Sequence, residues 1–331
     1  WQFALTAVFI EGLIFILLTI SNLREKIVHA IPEVIQKAIG AGIGLFLAFL
    51  GLQNAGIVVN HESTLVTIGN ITEGSALLGL IGLIITGVLL VWKIQGGFLI
   101  GIIATTLIGI PLGVTQFEGI VDTPPSIEPI FLKFDFAKVF TKEMAVVVFT
   151  FLFIDMFDTI GTLVGVSRKA GLMKDGKMSK MKKAFMADAL GTTAGAIFGS
   201  CTITTFVESS SGVGVGGRTG LTAFTASVCF LLSLFLAPFF LAVPGAATAP
   251  VLILVGLMMF SAVKDINFDD YAEAIPAFIC VLFMPATYSI SEGIVLSVIS
   301  YVLINLICGK RKNVSLATIL LAIVFMLKYI M

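Results

Sequence analysis

FLFIDMFDTIGTLVG, residues 151–165, sets two aspartates in a run that is otherwise apolar enough for the interior of a bilayer. Asp155, Asp158 and Thr162 are spaced i, i+3, i+7, which places them along one side of a helix. An ionisable group at mid-membrane costs ~2.5–3.5 kcal/mol on insertion scales and is a functional candidate for that reason. Two carboxylates one turn apart cannot both ionise easily in a low dielectric, which suits a group that takes up and releases a proton. The competing reading is packing, with the carboxylates capped by hydroxyls or a nearby lysine.

The rest of the chain is of the same kind. Of its 331 residues 58% are hydrophobic and only 12% charged, against roughly 25% charged in a soluble domain. Runs near the length needed to span recur throughout. By apolar length, breakers and flanking charge they fall at 2–20, 37–58, 75–92, 96–114, 144–166, 184–199, 219–240, 248–263, 272–288 and 290–308. A last run, 315–331, is barely long enough to cross. The formal net charge is zero, which gives no sign of a nucleic-acid or acidic partner. Cys201, Cys229, Cys280 and Cys308 lie far apart without CxxC or metal spacing. There is no Ser/His/Asp set, no metal-ligand spacing and no phosphate-binding loop, so no cofactor is expected. His29 and His61 stand in loops, and GVGVGG lacks the strand–helix unit of a dinucleotide site.

One stretch breaks the pattern: SCTITTFVESSSGVGVGGRTG, 200–220. Thr202, Thr204 and Thr205 favour extended backbone, and Glu208 opens a Ser/Gly-rich piece. The expectation is a short extended segment followed by a half-helix starting near Thr205, whose positive end would face a ligand. Non-helical backbone at that depth is tolerated only inside protein or against a cavity, so the composition marks a binding-site candidate. Small-residue packing between helices is the alternative.

Basic residues test the layout, because cytoplasmic loops collect them. With 200–217 crossing as one unit, Arg24, Lys26, Lys37, Lys93, Arg168, Lys169, Lys174, Lys177, Lys180, Lys182, Lys183, Arg218, Lys264, Lys310, Arg311 and Lys312 share one side. Lys133, Lys138 and Lys142 fall on the other, and Lys328 lies in the last segment. The loop 167–183 is then cytoplasmic, a topology signal or a contact for anionic lipid. Residues 115–142 form a long outside loop. Trp1 is also outside, so a cytoplasmic N-terminus requires an odd number of further spans before it; the sequence reads as lacking its N-terminal part. QGGFLIGIIATTLIGI (95–110) resembles SEGIVLSVISYVLINL (291–306) seven crossings later, the odd step of an inverted repeat. Asp188, near Thr192 and Thr193, is expected to hold helices together, and Glu11 to pair across an interface.

FIDMFDTIGTLVGVSRKAGL and MKKAFMADALGTTAGAIFGSCTITTFVESSSGVGVGGRTGLTA closely resemble the AzgA-like hypoxanthine/guanine/adenine permeases, within the wider family of nucleobase–cation symporters that includes uracil and xanthine permeases. AIGAGIGLFLAFLGLQNAGIVV (38–59) and AEAIPAFICVLFMPATYSISEGI (272–294) look like the same subgroup. The resemblance implies an all-α polytopic fold, a single transporter domain of fourteen helices in two inverted seven-helix repeats, here lacking its first three. It implies a core domain at 1–20 and 144–240, a gate domain at 37–114 and 248–308, and an appended helix at 315–331. It further implies that Asp158, in Asp158-Thr159-Ile160-Gly161, binds a base and that Glu208 on the broken helix binds it from the other side. Asp155, Thr162 and Ser209 join the expected substrate contacts, with Phe157 or Phe206 stacking on the ring and Thr204 and Thr205 shaping the segment. One of Asp155, Asp158 and Glu208 would carry the coupling proton.

The function implied is proton-coupled purine uptake at the inner or plasma membrane by alternating access. The partners are a purine base, a proton and the lipid bilayer; the oligomeric state stays open, a homodimer among the options. An anion exchanger on the same fold is the first rival, disfavoured because Glu208 would repel an anion. An intramembrane aspartyl enzyme is the second, disfavoured because Asp155 and Asp158 sit on one helix.

Overall fold

A computed structural model describes residues 1–330 except 118, 138, 175, 176, 179, 207, 312 and 313, and gives 169, 174, 177 and 327–330 by backbone alone. Lys138, Lys312 and Met331, used above to place loops and the last run, therefore lie outside the described residues, as does Val207 of the broken stretch. The helices are α1 (Gln2–Ile20), α2 (Leu23–Ala30), α3 (Glu33–Asn54), α4 (Gly74–Val91), α5 (Gly97–Gly109), α6 (Lys142–Lys169), α7 (Met181–Ile197), α8 (Ser209–Gly214), α9 (Gly220–Ser233), α10 (Ala237–Leu241), α11 (Gly245–Phe260), α12 (Tyr271–Ala286), α13 (Ile290–Ile307) and α14 (Leu316–Ile330). Two small antiparallel hairpins, β1 (Val58–His61) with β2 (Leu65–Ile68) and β3 (Met173–Lys174) with β4 (Lys177–Met178), close loops. Among the described residues six helical stretches are long and apolar enough to cross a membrane: α1, α3, α4, α6, α13 and Gly245–Asp265. α5, α9, α12 and Leu316–Met326 are apolar and shorter.

The expected spans coincide with helices, and the differences have local causes. The run 37–58 stops early because Gly56, at φ +74°, ends α3: the Gly56 amide bonds Gln53 O at 2.8 Å and the Ile57 amide bonds Leu52 O at 2.9 Å, a left-handed glycine closing the helix. The run 219–240, expected as one span, is two helices. Pro238 has no N–H for the Leu234 carbonyl, so α9 stops and α10 restarts around the proline. The half-helix expected from Thr205 begins instead at Ser209 and is six residues long, while 200–206 runs without regular structure. α2 and both hairpins were not anticipated.

The chain divides into two compact units, residues 1–43, 126–207 and 262–331 in one and 44–125 and 208–261 in the other. In the first, Gly42 of α3 lies against Cys280 and Met284 of α12. Pro276 of α12 cannot donate to the Ala272 carbonyl, and the Asn305 side chain of α13 reaches that oxygen at 3.4 Å. A neighbouring helix thus replaces the bond the proline removes. Lys310 lies 2.9 Å from both Asp270 carboxylate oxygens, tying the start of α12 to the segment after α13. The Lys310 ammonium holds that exposed carboxyl below the ordinary carboxylate range.

In the second unit the helices meet backbone to backbone. A Cβ on Gly256 of α11 would lie 2.5 Å from Gly44 O and 2.9 Å from Ala48 N of α3, so only glycine fits. We therefore expect Gly256→Ala to cost about 1–3 kcal/mol as an overpacked contact and to lower the thermal midpoint of the detergent-solubilised protein. Gly87→Ala, on α4 with open space where its Cβ would go, should leave the midpoint unchanged.

Candidate functional site

The site is built on the middle of α6. Asp155, Thr159 and Thr162 are 4%, 0% and 3% exposed, whereas Asp158 is half-buried. The two aspartates occupy one broad side of the helix, as their spacing requires, yet they turn to different neighbours.

Asp158 faces α13. The backbone amide of Ser291, in the first turn of that helix, is directed at its carboxyl. The helix entry is fixed by Ser289, whose hydroxyl accepts from the Glu292 amide at 3.3 Å. The free amides and dipole of a helix start favour a carboxylate there. Asp158 Oδ1 is buried with no hydrogen-bond partner among the described residues, so α6 offers an acceptor still open to a donor. Ser291 was not singled out from sequence. A serine followed three residues later by glutamate, Ser289 to Glu292, is the local signature of such a helix start.

Asp155 faces the other way, into a network of charges. Thr159 Oγ1 lies 3.3 Å from Asp155 Oδ1 and 3.1 Å from Asp188 Oδ1 of α7. Asp188 in turn pairs with Arg24 of α2, Nη2 to Oδ2 at 2.9 Å. Arg24, counted above among the loop charges, is fully buried. Its guanidinium is 4.1 Å from the centre of the Phe15 ring and 4.4 Å from that of Phe185, and Nη1 donates to Phe185 O at 3.3 Å. The correction has a physical reason: α2 turns one side, Arg24, Val28 and Ala30, into the protein while Leu23 and Lys26 stay exposed, and the carbonyls at its end are taken by Gln36 (to Ile31 O, 2.9 Å) and Thr318 (to Ala30 O, 2.8 Å). A buried arginine is tolerated because ion pair, carbonyl and aromatic faces all meet it.

The irregular segment after α7 is stitched to the same helices. Thr202 Oγ1 donates to Glu11 Oε2 of α1 at 3.0 Å, and Thr192 Oγ1 of α7 donates to Ile203 O at 2.9 Å. Glu11 is fully buried, and its Oε1 has no partner among the described residues. Asp188 thus bonds to α2 and α6, and Glu11 to the irregular segment after α7.

The other expected site residues are placed as follows. Thr204 and Thr205 are half-buried, and Phe206 is 63% exposed. Phe157 is 0% exposed, with its ring centre 4.9 Å from those of both Phe153 and Phe325. It fills the packing between α6 and α14 and leaves no face for stacking. Glu208 and Ser209 are exposed at the start of α8, in the second unit. Arg218 closes the other end of α8, its Nη1 2.6 Å from Val213 O, a cation on helix-terminal carbonyls. Among the described residues no group of three or more His, Cys, Asp or Glu is arranged to hold a metal ion.

With this geometry in hand, comparison with known proteins places the chain. The Permease family, that of the xanthine and uracil permeases, matches residues 1–296, and the chain belongs to it. A guanine/hypoxanthine permease of Bacillus subtilis is 42% identical over 333 residues, covering 100% of this chain and 76% of that protein. An adenine permease of Escherichia coli is 41% identical over 331 residues, covering 100% of this chain and 74% of that protein. Among solved structures, the transmembrane domain of a cyanobacterium bicarbonate transporter superposes with a TM-score of 0.57 at 16% identity, over 89% of this chain and 76% of that one; at that identity the likeness is one of fold alone. The chain is a multi-pass plasma-membrane permease, a carrier and not an enzyme.

The Arg24–Asp188 pair makes a stability prediction. Removing one partner leaves an unmatched buried charge, a loss of about 3–5 kcal/mol, whereas an apolar pair of similar volume is often neutral. Arg24→Met and Asp188→Leu should each sharply lower thermal stability in detergent, followed by size-exclusion of heated samples. The double variant should recover most of the loss.

Proposed function

We propose that this permease takes up purine nucleobases (hypoxanthine, guanine or adenine) together with protons. The reading rests first on identity above 40% to guanine/hypoxanthine and adenine permeases along the whole chain. The observation that carries it to particular residues is Asp158: a half-buried carboxylate on a membrane-spanning helix, with one oxygen unpartnered among the described residues. A purine offers ring N–H donors, and a carboxylate acceptor in a site shielded from water binds them strongly. Glu208 is the second acceptor in this reading, and Phe206 the ring on which the base stacks. Ser209, Thr162, Thr204 and Thr205 contribute hydroxyls around them, and Phe157 supports α6 from behind.

Transport follows by alternating access. The helices at 1–20 and 144–240 form the body that carries the base, and those at 37–114 and 248–308 form the body it moves against, within a fold of two inverted seven-helix repeats. A proton accompanies the base because the acids Asp155, Asp158 and Glu208 cannot all stay ionised as the site closes to water. A carboxylate at 208 disfavours an anion as cargo.

In cells without purine uptake of their own, the wild-type protein should accumulate labelled hypoxanthine, guanine or adenine, and a protonophore should abolish accumulation. Asp158→Ala and Glu208→Ala, at wild-type abundance in the membrane, should each reduce uptake about ten- to a hundredfold, as expected for hydrogen bonds to charged groups of about 1.5–3 kcal/mol. Wild-type rates in both variants would contradict the assignment.

A further inference from the structure

Thr159 has one hydroxyl hydrogen and two carboxyl neighbours. Its Oγ1 lies 3.3 Å from Asp155 Oδ1 and 3.1 Å from Asp188 Oδ1. Asp188 is bound to Arg24 at 2.9 Å, so Asp188 is the charged acceptor and the Thr159 hydrogen points to it. The contact from Thr159 to Asp155 is then a hydrogen bond only when the Asp155 carboxyl brings the hydrogen. Without it, two oxygens would face each other in a buried site with no hydrogen between them. Asp155 Oδ2 is also buried and has no hydrogen-bond partner among the described residues. The charged groups acting on Asp155 are Asp188 of α7, Glu11 of α1, Arg24 of α2 and Asp158 of its own helix: four acids, counting Asp155, around one base. Such a cluster is complete only with protons in it.

We propose that Thr159 positions the coupled proton, tying the Asp155 carboxyl that holds it to the Arg24–Asp188 pair, which anchors the chain of hydrogen bonds. The proposal rests on reading the protein as a proton-coupled base carrier and goes beyond it in separating two roles on one helix: Asp158 faces the base, while Asp155 faces inward. When the proton is present the chain runs Asp155–OH to Thr159 Oγ1, then Thr159 Oγ1–H to the Asp188 carboxylate, which Arg24 neutralises. When Asp155 gives its proton to water, the Asp155–Thr159 bond within α6 is lost, while the bond from Thr159 to Asp188 of α7 stays. Proton occupancy thereby decides whether the Asp155 carboxyl is tied, through Thr159, to the Arg24–Asp188 pair. Thr159 does not touch the base in this scheme; it is a positioning residue acting through Asp155.

The test uses the protein in native membrane vesicles and two readouts: exchange of labelled hypoxanthine for unlabelled hypoxanthine, and accumulation driven by an imposed inward proton gradient. Thr159→Val should keep exchange and lose the gradient-driven component, and Thr159→Ser should restore it. Asp155→Asn, whose amide donates permanently toward Thr159, should show uptake that no longer rises with the gradient. A gradient response like the wild type in Thr159→Val and Asp155→Asn would overturn the proposal, as would a fall of exchange and accumulation in parallel in Thr159→Val that serine does not reverse. Should Thr159→Val be missing from the membrane, Asp155→Asn, which keeps size and shape, decides by the same gradient readout. Absence of any purine exchange in the wild type would instead defeat the purine reading itself, and this proposal with it.

Discussion

A guanidinium taken wholly out of water has to be matched on every side, and much of the first unit is arranged around the matching of Arg24. Phe15 of α1 and Phe185 of α7 lie over its two faces at 4.1 and 4.4 Å, and Asp188 of α7 binds its end at 2.9 Å. Desolvating such a pair costs several kcal/mol per ion, which only good geometry offsets. The consequence runs outward from there. α2 turns Arg24 inward together with Val28 and Ala30, and Gln36 and Thr318 cover the carbonyls at its end. Asp188 must be a carboxylate, so Thr159 gives it a hydrogen, and Asp155 is left as the acid without a counter-charge of its own.

The same requirement, that no polar group be left unmatched away from water, explains the irregular places in the chain. The stretch after α7 has lost helical hydrogen bonds, and it lies where Thr202 reaches Glu11 and Thr192 reaches Ile203 O. Pro276 removes a bond from α12, and Asn305 of the next helix supplies one. These side chains serve the backbone beside them. They keep irregular backbone at a depth where lipid alone would not tolerate it, and irregular backbone is what lets a membrane helix bundle contain a polar site.

Much of this was legible in the sequence. α1 was bounded to the residue, because a largely apolar run, with Glu11 its one charge, ends shortly before Arg24, Glu25 and Lys26. The acids of α6 stood out because nothing else in 144–166 is charged between Glu143 and Arg168. Local chemistry misled where a single residue changes direction: Gly56 ends α3 early, and Pro238 divides α9 from α10. Arg24 was read as a loop charge because its sequence neighbours Glu25 and Lys26 are polar, and burial by segments more than a hundred residues distant leaves no local pattern. Phe157 shows the same limit from the other side. Its position beside Asp158 suggests a stacking ring, but Phe325 of α14 occupies its face.

One helix of this permease carries an open acid, Asp158, and a second acid, Asp155, turned toward a fixed ion pair. Family membership makes the chain a permease; in the proposed mechanism the separation of the two acids gives proton and base different places on the same element. The most direct measurement of that claim is made in proteoliposomes loaded with a pH-sensitive dye, with no gradient imposed and hypoxanthine added outside. The account predicts that the interior acidifies as the purine enters, in step with its uptake. Entry of the purine with no change of internal pH would contradict it.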